Sequence, residues 1–386
     1  MAAKLEFFPV HNGDMTLLTL ESGRTILIDI NIRKDADEEG NDDAVDVATL
    51  LKDRLERDAD GRLYVDAFLL THPDADHCRG LQRHFHLGKP KDWKKDDDKI
   101  FIREMWSSPI IFRRKKDVDG SLCKDADAWW AEARRRVKLY QEAEKKLSVK
   151  DGDRIQILGE DKRDNEAISD IVVKIDAEIT KICGVVDDTF RALLLAPHLV
   201  SDEEAKVMTG KNHSSTVIRF SIKGDDTDDA GRFLTGGDAE VENWERVWSR
   251  NKKRKDRLSY DILLAPHHCS WRSLSYDSWS TEGEEAEVSS DARDALSQAR
   301  DNAFIIASCK EIKDDKDDPP CIRAKREYVD ILESVSGDFL CTTEECGEEV
   351  LSIEISADGP TRDTGCRSVK KTEPKMTDKK GGGRYA

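Results

Sequence analysis

The segment FLLTHPDADHCRGL places His72, Asp74, Asp76 and His77 within six residues of one another. All four can ligate a metal, and they follow directly on the apolar run of a short strand. Burying such a group without a cation is costly, because each charge loses its hydration. A strand end also fixes the direction in which each ligand points. The plainer reading is an Asp-rich polar turn, but two further segments repeat the setting. In GRFLTGGDAEVENW, Asp238 follows a strand and a Gly-Gly pair and opens a helix. Alone it reads first as a helix N-cap. In DILLAPHHCSWRS, an apolar strand runs out into His267 and His268. Strand ends on one sheet edge converge on one site, so the three clusters together predict a metal centre.

Such a centre needs strands that end at its ligands. Residues 4–33 read as strands, LEFFPV, MTLLTL and TILIDINI, joined by Gly-Asp and Ser-Gly turns that suggest a β-hairpin. Apolar spacing predicts helices over 41–57, 124–147, 239–250, 289–300 and 321–335, and CRGLQRHF reads as a helix start. Strands are expected at 64–70, 99–106, 154–159, 170–179, 190–197, 215–222, 231–238, 260–268, 303–308, 338–342 and 349–356. No internal repeat is visible. Strands mixed with helices after an opening hairpin predict an α/β sandwich, two mixed sheets flanked by helices.

THPDADH resembles the HxHxDH signature of the metallo-β-lactamase superfamily, with Asp74 where the second His usually stands. The GGD ending at Asp238 resembles that superfamily's bridging-aspartate motif. PHHCS followed by Ser273 resembles the PHHGSxxS segment of one branch, the hydrolase domain of the ComEC-type competence DNA-uptake proteins. NHSSTVIRF (212–220) and NGDMTLLTLESGRTILIDI, with its Gly13-Asp14 and its ending at Asp29, are similar to further segments of that branch. The resemblance runs over about residues 4–310, without the branch's membrane-channel part. It implies the metallo-β-lactamase αββα sandwich and two divalent metals. Asp76, His77 and His267 would hold one, His72 and Asp74 the other, and Asp238 would bridge them. Zinc or manganese is expected, with magnesium compatible, since Asp74 in place of an imidazole hardens the site. A water between two such cations loses its proton near neutral pH and becomes the nucleophile. Asp76 and His268 are the expected catalytic side chains, and Ser270 and Ser273 the substrate-binding ones, although Ser273 also reads as a turn cap.

The chain departs from that pattern in three places. The superfamily's third histidine for the first metal has only His198 and His213 as candidates. Cys269 replaces a glycine, and DDPPC (317–321) stands where a Gly-His-Pro-like segment is expected. His84 and His86 read as residues outside the ligand set, His11 as a loop residue near it, and Asp29 as a support behind a ligand. The long separation between His77 and Asp238 predicts an insertion at about 90–190, carrying the Trp129-Trp130 helix and able to act as a lid or a docking surface for a partner protein.

Composition bounds the rest. The 386 residues carry a net charge of −17, which argues against general nucleic-acid binding by bulk charge. Three local clusters could still contact single-stranded or duplex DNA: Arg113-Arg114-Lys115-Lys116, Arg134-Arg135-Arg136 and RNKKRK at 250–255. No apolar run is long enough for a membrane span, and MAAKLEFFPV lacks the layout of a signal peptide. Nine dispersed cysteines with no CxxC pair read as reduced thiols in a cytoplasmic protein. A hydrolase domain over 1–357 is expected to end in a disordered basic tail, 358–386. The function expected is a metal-dependent phosphodiesterase or nuclease. A small-molecule ester, thioester or cyclic-nucleotide hydrolase is the alternative, as is a regulatory protein with a degenerate site.

Overall fold

Branched and aromatic side chains at every second position make the strands of this chain two-faced, and in the computed structural model they pair into two mixed sheets. Residues 2–34, 45–112, 122–144, 149–160, 166–198 and 211–363 are described. The chain enters through β1 (Ala3–Phe7), β2 (Thr16–Thr19) and β3 (Thr25–Ile28). It continues through β4 (Tyr64–Leu70), β5 (Ile100–Ser107), β6 (Arg154–Leu158) and β7 (Val172–Val173). Next come β8 (Glu178–Ile179), β9 (Phe190–Ala196), β10 (Val217–Gly224) and β11 (Thr227–Thr235). β12 (Tyr260–Leu264), β13 (Ala299–Ala307) and β14 (Asp338–Cys341) follow, and β15 (Leu351–Ser356) and β16 (Gly359–Arg362) close the order.

The first sheet runs β16-β15-β1-β2-β3-β4-β5-β6-β7, with the two-residue strand Phe85–His86 beside β5. The second runs β8-β9-β10-β11-β12-β13-β14. Each sheet passes from antiparallel strands to parallel ones: β16-β15-β1-β2-β3 then β4-β5-β6-β7, and β8-β9-β10-β11 then β12-β13-β14. The sequence shows no repeat, yet the two halves share this order.

Alternation assigns the faces. Leu5, Phe7, Leu69, Phe220, Ile262 and Leu264 pack together in one cluster, formed by residues of both sheets. Phe68 and Leu70 turn the other way, toward α1 (Val47–Lys52) and α4 (Lys124–Glu142). Two single-turn helices, α2 (Ala75–Cys78) and α3 (Leu81–His84), lie before α4. On the second sheet, Leu263, Ala265 and Ile305 face α5 (Val241–Asn251), α6 (Ser290–Leu296) and α7 (Ile322–Glu333). Both sheets are thus flanked by helices, as the sequence predicts. Among the described residues, no helix is long and apolar enough to cross a membrane.

Several boundaries differ from expectation. The strand expected at 170–179 is two strands, β7 in the first sheet and β8 in the second. Between them the chain turns at Asp176, which takes a left-handed φ of 71°. The helix expected to reach residue 300 stops at Leu296, because Ala299 already pairs with Tyr260. The region expected as an insertion is built into the fold, since β5, β6 and β7 continue the first sheet. Trp129 and Trp130 of α4 are core residues. Strand pairing extends through β16 to Arg362, into the expected tail, whose remainder lies outside the described residues. Cys346 is disulfide-bonded, contrary to an all-thiol reading, while seven other cysteines are free.

A buried arginine, ion-paired within α4, fastens that helix to the sheet. Arg136 is 1% exposed and donates to Glu132 (2.7 Å) and to the carbonyls of Arg154 (3.0 Å) and Ile102 (3.2 Å). Removing the carboxylate would leave that guanidinium uncompensated. Glu132→Ala is expected to cost about 3–5 kcal/mol, read as a lower urea midpoint. Lys138→Ala, which removes an exposed pair with Glu142 on the same helix, should leave the midpoint within about 0.5 kcal/mol of wild type.

Candidate metal centre

Four parallel-strand ends deliver the candidate ligands. β3 runs into Asp29, β4 into Thr71 and His72, β11 into Gly236-Gly237-Asp238, and β12 into Pro266-His267-His268. The loop between β1 and β2 adds Asp14. Backbone bonds lock these segments together: Asp14 N donates to Asp76 O (3.2 Å), His267 N to Gly237 O (3.0 Å) and Thr216 N to Thr71 O (3.1 Å). Two glycines are needed for this approach. A Cβ on Gly237, whose φ is +49°, would lie 2.4 Å from Thr71 Oγ1, and one on Gly13 would lie 2.8 Å from Asp76 O. The second-sheet ligand turn is strained, with His267, His268 and Cys269 at φ 52°, 53° and 66°. Such conformations cost energy in L-residues and cluster at functional sites.

Asp238 is the geometric centre. Its Oδ1 lies 2.8 Å from His77 Nε2 and 3.4 Å from His268 Nε2. Its Oδ2 lies 3.5 Å from both His72 Nε2 and His267 Nε2. The Nε2 atoms of His77 and His268 are 3.3 Å apart, and two imidazole nitrogens on one tetrahedral zinc would be about 3.3 Å apart. Asp76 Oδ2 is 3.5 Å from His268 Nε2. The outer nitrogens are held as well: His77 Nδ1 meets Asp29 Oδ2 at 2.8 Å, and His268 Nδ1 lies 3.3 Å from Asp14 Oδ1. Asp29 also accepts from Thr71 N (2.8 Å) and Thr71 Oγ1 (2.6 Å), so one carboxylate aligns both halves of the first ligand loop.

Asp14, His77, Asp238 and His268 are buried and bring ligand atoms within 4.8 Å of one another, a group that could hold a metal ion. Several of their atoms fit a cation better than they fit each other. Asp14 Oδ1, His72 Nε2, Asp238 Oδ1 and His268 Nδ1 are buried without a hydrogen bond. Asp238 Oδ1 is only 2.8 Å from His77 Nε2, so those two atoms are close without being aligned as donor and acceptor.

Electrostatics show what the cluster does without a cation. Burial works against a charge on Asp238, but His77, His267, His268 and His72 hold its carboxyl well below the usual range. Burial likewise disfavours a charged His77, yet Asp238 and Asp29 raise it well above its ordinary value. His268 loses to burial and gains more from Asp238 and Asp14, ending at about 10. Asp76 is kept ionised by His268 and His77 against its own desolvation. Without a cation, protons on His77 and His268 supply the opposing charge.

The sequence-derived ligands fall in different positions. His72, His77 and His267 converge on Asp238, and Asp76 reaches His268. The two adjacent histidines differ from their expected roles: His268, expected as a catalytic side chain, lies inside the buried group, and His267 approaches the other carboxylate oxygen. Asp74 is turned to other partners, accepting from Ala75 N (3.0 Å) and from Lys211 Nζ (3.0 Å). Ser270 and Ser273 are fully buried and spent on the fold. Ser270 Oγ donates to Asp318 Oδ1 (2.6 Å) and Ser273 Oγ to Ala239 O (3.1 Å), so neither hydroxyl faces a substrate. Asp318 belongs to DDPPC, which props the ligand turn from outside. Cys269 Sγ points to Cys321 O in the core, away from the ligands.

His213 bonds Glu242 (2.8 Å) and joins Glu240 and Glu242 in a second ligand group. Glu240 Oε1 is 3.8 Å from His267 Nδ1, so this group adjoins the first. His198 is kept neutral, pushed to about 4 by burial and then by Arg250 and Arg246. His86 bonds Lys89 O (3.0 Å) beside β5. Sequence reasoning left out Asp14, Glu240 and Glu242 as ligand candidates, Asp14 being read only as part of the opening hairpin. The chain matches no family model and no curated protein.

Two measurements test this arrangement. His268 stays protonated to about pH 10, against 6.5 for a free imidazole. Its ion pairs therefore stabilise the cation-free fold fully below about pH 6.5 and lose that contribution as pH rises toward 10. The Tm of chelator-treated protein should fall from pH 7 to 9, and saturating zinc should flatten that fall. A flat profile before zinc would count against the cluster. Asp29→Ala should weaken zinc binding by about 10–100-fold, measured by competition with a chromogenic chelator.

Proposed function

We propose that this chain is a metal-dependent hydrolase of the metallo-β-lactamase fold, acting on phosphodiesters as a phosphodiesterase or nuclease. The observation that carries the reading is the Asp238 carboxylate. One oxygen faces His77 and His268 and the other faces His72 and His267, as a carboxylate shared by two cations requires. The helix-flanked pair of mixed sheets, with ligands at parallel strand ends, supports the fold assignment.

His77, His268, Asp238 and Asp76 would hold one divalent cation, with Asp14 behind His268, and His72 and His267 would approach the other. Zinc suits the imidazoles, while manganese suits the carboxylates. When bound, such a cation supplies Lewis acidity toward a phosphoryl oxygen and lowers the pKa of a water. The residues do the positioning. Asp29 fixes the orientation of His77, and the left-handed turn turns both second-sheet histidines toward Asp238. Asp76, about one-third exposed at its side chain, stands between the buried group and solvent, where an ionised carboxylate can orient an attacking water.

One observation favours a small phosphodiester or ester over a polynucleotide. The described arginines of the basic clusters are engaged within the protein, while Lys252 and Lys253 of RNKKRK stay exposed. Arg135 and Arg136 pair with Glu132. Arg250, near the carboxyl end of α5, pairs with Asp176. RNKKRK precedes β12, whereas His267 follows it, so this cluster lies at the end of the strand away from the ligands. The cluster 113–116 lies outside the described residues. A partner protein or DNA would have to dock on other surfaces.

Chelated protein given manganese or zinc should hydrolyse bis-p-nitrophenyl phosphate, and Asp238→Asn and His268→Ala should each lose at least about hundredfold in kcat/KM. Single-stranded and duplex DNA offered beside it separate the two substrate classes. Cleavage of the small diester alone would leave the small-molecule reading. Stoichiometric metal binding with no hydrolysis of any diester would sink the phosphodiesterase reading.

A further inference from the structure

Two pairs of described cysteines bring their sulfurs to nearly equal separations. Cys78 and Cys123 are 3.6 Å apart, and Cys309 and Cys341 are 3.7 Å apart. All four are free thiols, but they differ in access. Cys309 and Cys341 are 0% and 1% exposed, inside the core between the second sheet and its helices. Cys123 is only half-buried, at the N-cap of α4, where its sulfur accepts from Ala126 N (3.4 Å). An oxidant in solution can reach the first pair through Cys123 and has no such route to the second.

The first pair also sits where a covalent change would be felt. Cys78 directly follows His77, and its sulfur donates to the carbonyl of Asp74 at 3.0 Å. Its backbone bridges to Ile30, just beyond Asp29. Two residues further on, Gly80 N and Gln82 N donate to Asp125 in the first turn of α4, at 2.9 and 3.0 Å. The His72–His77 loop therefore leans on the start of α4, and the two sulfurs lie at that contact.

We propose that Cys78 and Cys123 are a thiol modification site, at which hydrogen peroxide forms a reversible disulfide between the ligand loop and α4. The half-buried Cys123 sulfur attacks one peroxide oxygen, the O–O bond breaks, and the thiol proton leaves with the other oxygen as water. Cys123 is then a sulfenic acid. The Cys78 sulfur displaces its oxygen, the S–S bond forms, and the Cys78 proton departs with that oxygen in a second water. The two sulfurs supply the two electrons that reduce the peroxide. They must close from 3.6 Å to about 2.0 Å. That movement draws Cys78 off the Asp74 carbonyl and shifts the turn that carries His77. The effect on the cation rests on the metal reading, and the disulfide itself does not.

The test uses the full, reduced, cation-free chain with one equivalent of hydrogen peroxide, then alkylation and peptide mapping without reductant. The linked Cys78–Cys123 peptide should form before any Cys309–Cys341 product, vanish with dithiothreitol, and be missing from Cys123→Ser. Manganese affinity of the wild type should drop roughly tenfold on oxidation and stay unchanged in peroxide-treated Cys123→Ser. Alkylation of both Cys78 and Cys123 after peroxide, or earlier formation of Cys309–Cys341, overturns the site. A Cys78–Cys123 disulfide with unchanged manganese affinity overturns its effect on the loop. If reduced protein binds neither manganese nor zinc, the metal reading fails, and the peptide map still decides the disulfide.

Discussion

Asp238 is a carboxylate removed from water and faced by four imidazoles, two on each oxygen. No such charge survives burial unless its surroundings are positive, and this requirement accounts for much of the architecture around it. β4 and β12 must end at the same depth, so that histidines from different sheets reach one acid. The Gly-Gly pair before Asp238 lets its backbone approach Thr71 closely. Asp29 and Asp14 then stand behind His77 and His268, so that each imidazole is held from its outer side while its inner nitrogen turns to the centre. Whether protons or divalent cations balance the charge, the same set of side chains is needed.

The fold class and most element positions were legible because two periodicities carry them. Strand alternation and helical spacing are local signals, and they placed β4, β9, β12, α4 and α7 closely. The ligand clusters were legible for a similar reason, since His and Asp at strand ends stand out against the apolar runs before them. What was not legible depends on conformation. Nothing in PHHC tells which histidine turns inward, because the choice is made by three successive left-handed residues. Ser270 and Ser273 look like substrate contacts until Asp318, 48 residues beyond Ser270, is seen to accept the first hydroxyl. Asp14 was overlooked because a Gly-Asp turn is an ordinary hairpin feature, and only the fold brings its carboxylate behind His268.

Charge is a poorer guide here than placement. Arg134-Arg135-Arg136 reads as a basic patch in one dimension. In the helix, the three side chains point in different directions. One is buried against a glutamate and two carbonyls, another shares that glutamate, and the third, Arg134, donates to Ile111 O. A cluster that seemed available for a phosphate backbone is largely a device for attaching α4 to the sheet. The same holds at Asp176, where the chain changes sheets and Arg250 and Arg257 gather around one carboxylate.

The pairing of β1 with β15 has a consequence for synthesis. Ala3 stands opposite Ile355 and Phe7 opposite Leu351, so β1 is completed by a strand made long after it. During translation, every candidate ligand from Asp14 to His268 emerges from the ribosome while β1 still has an unpaired edge, open to association with other chains. The loop-closure cost of joining β1 to β15 is met only once β15 has been made.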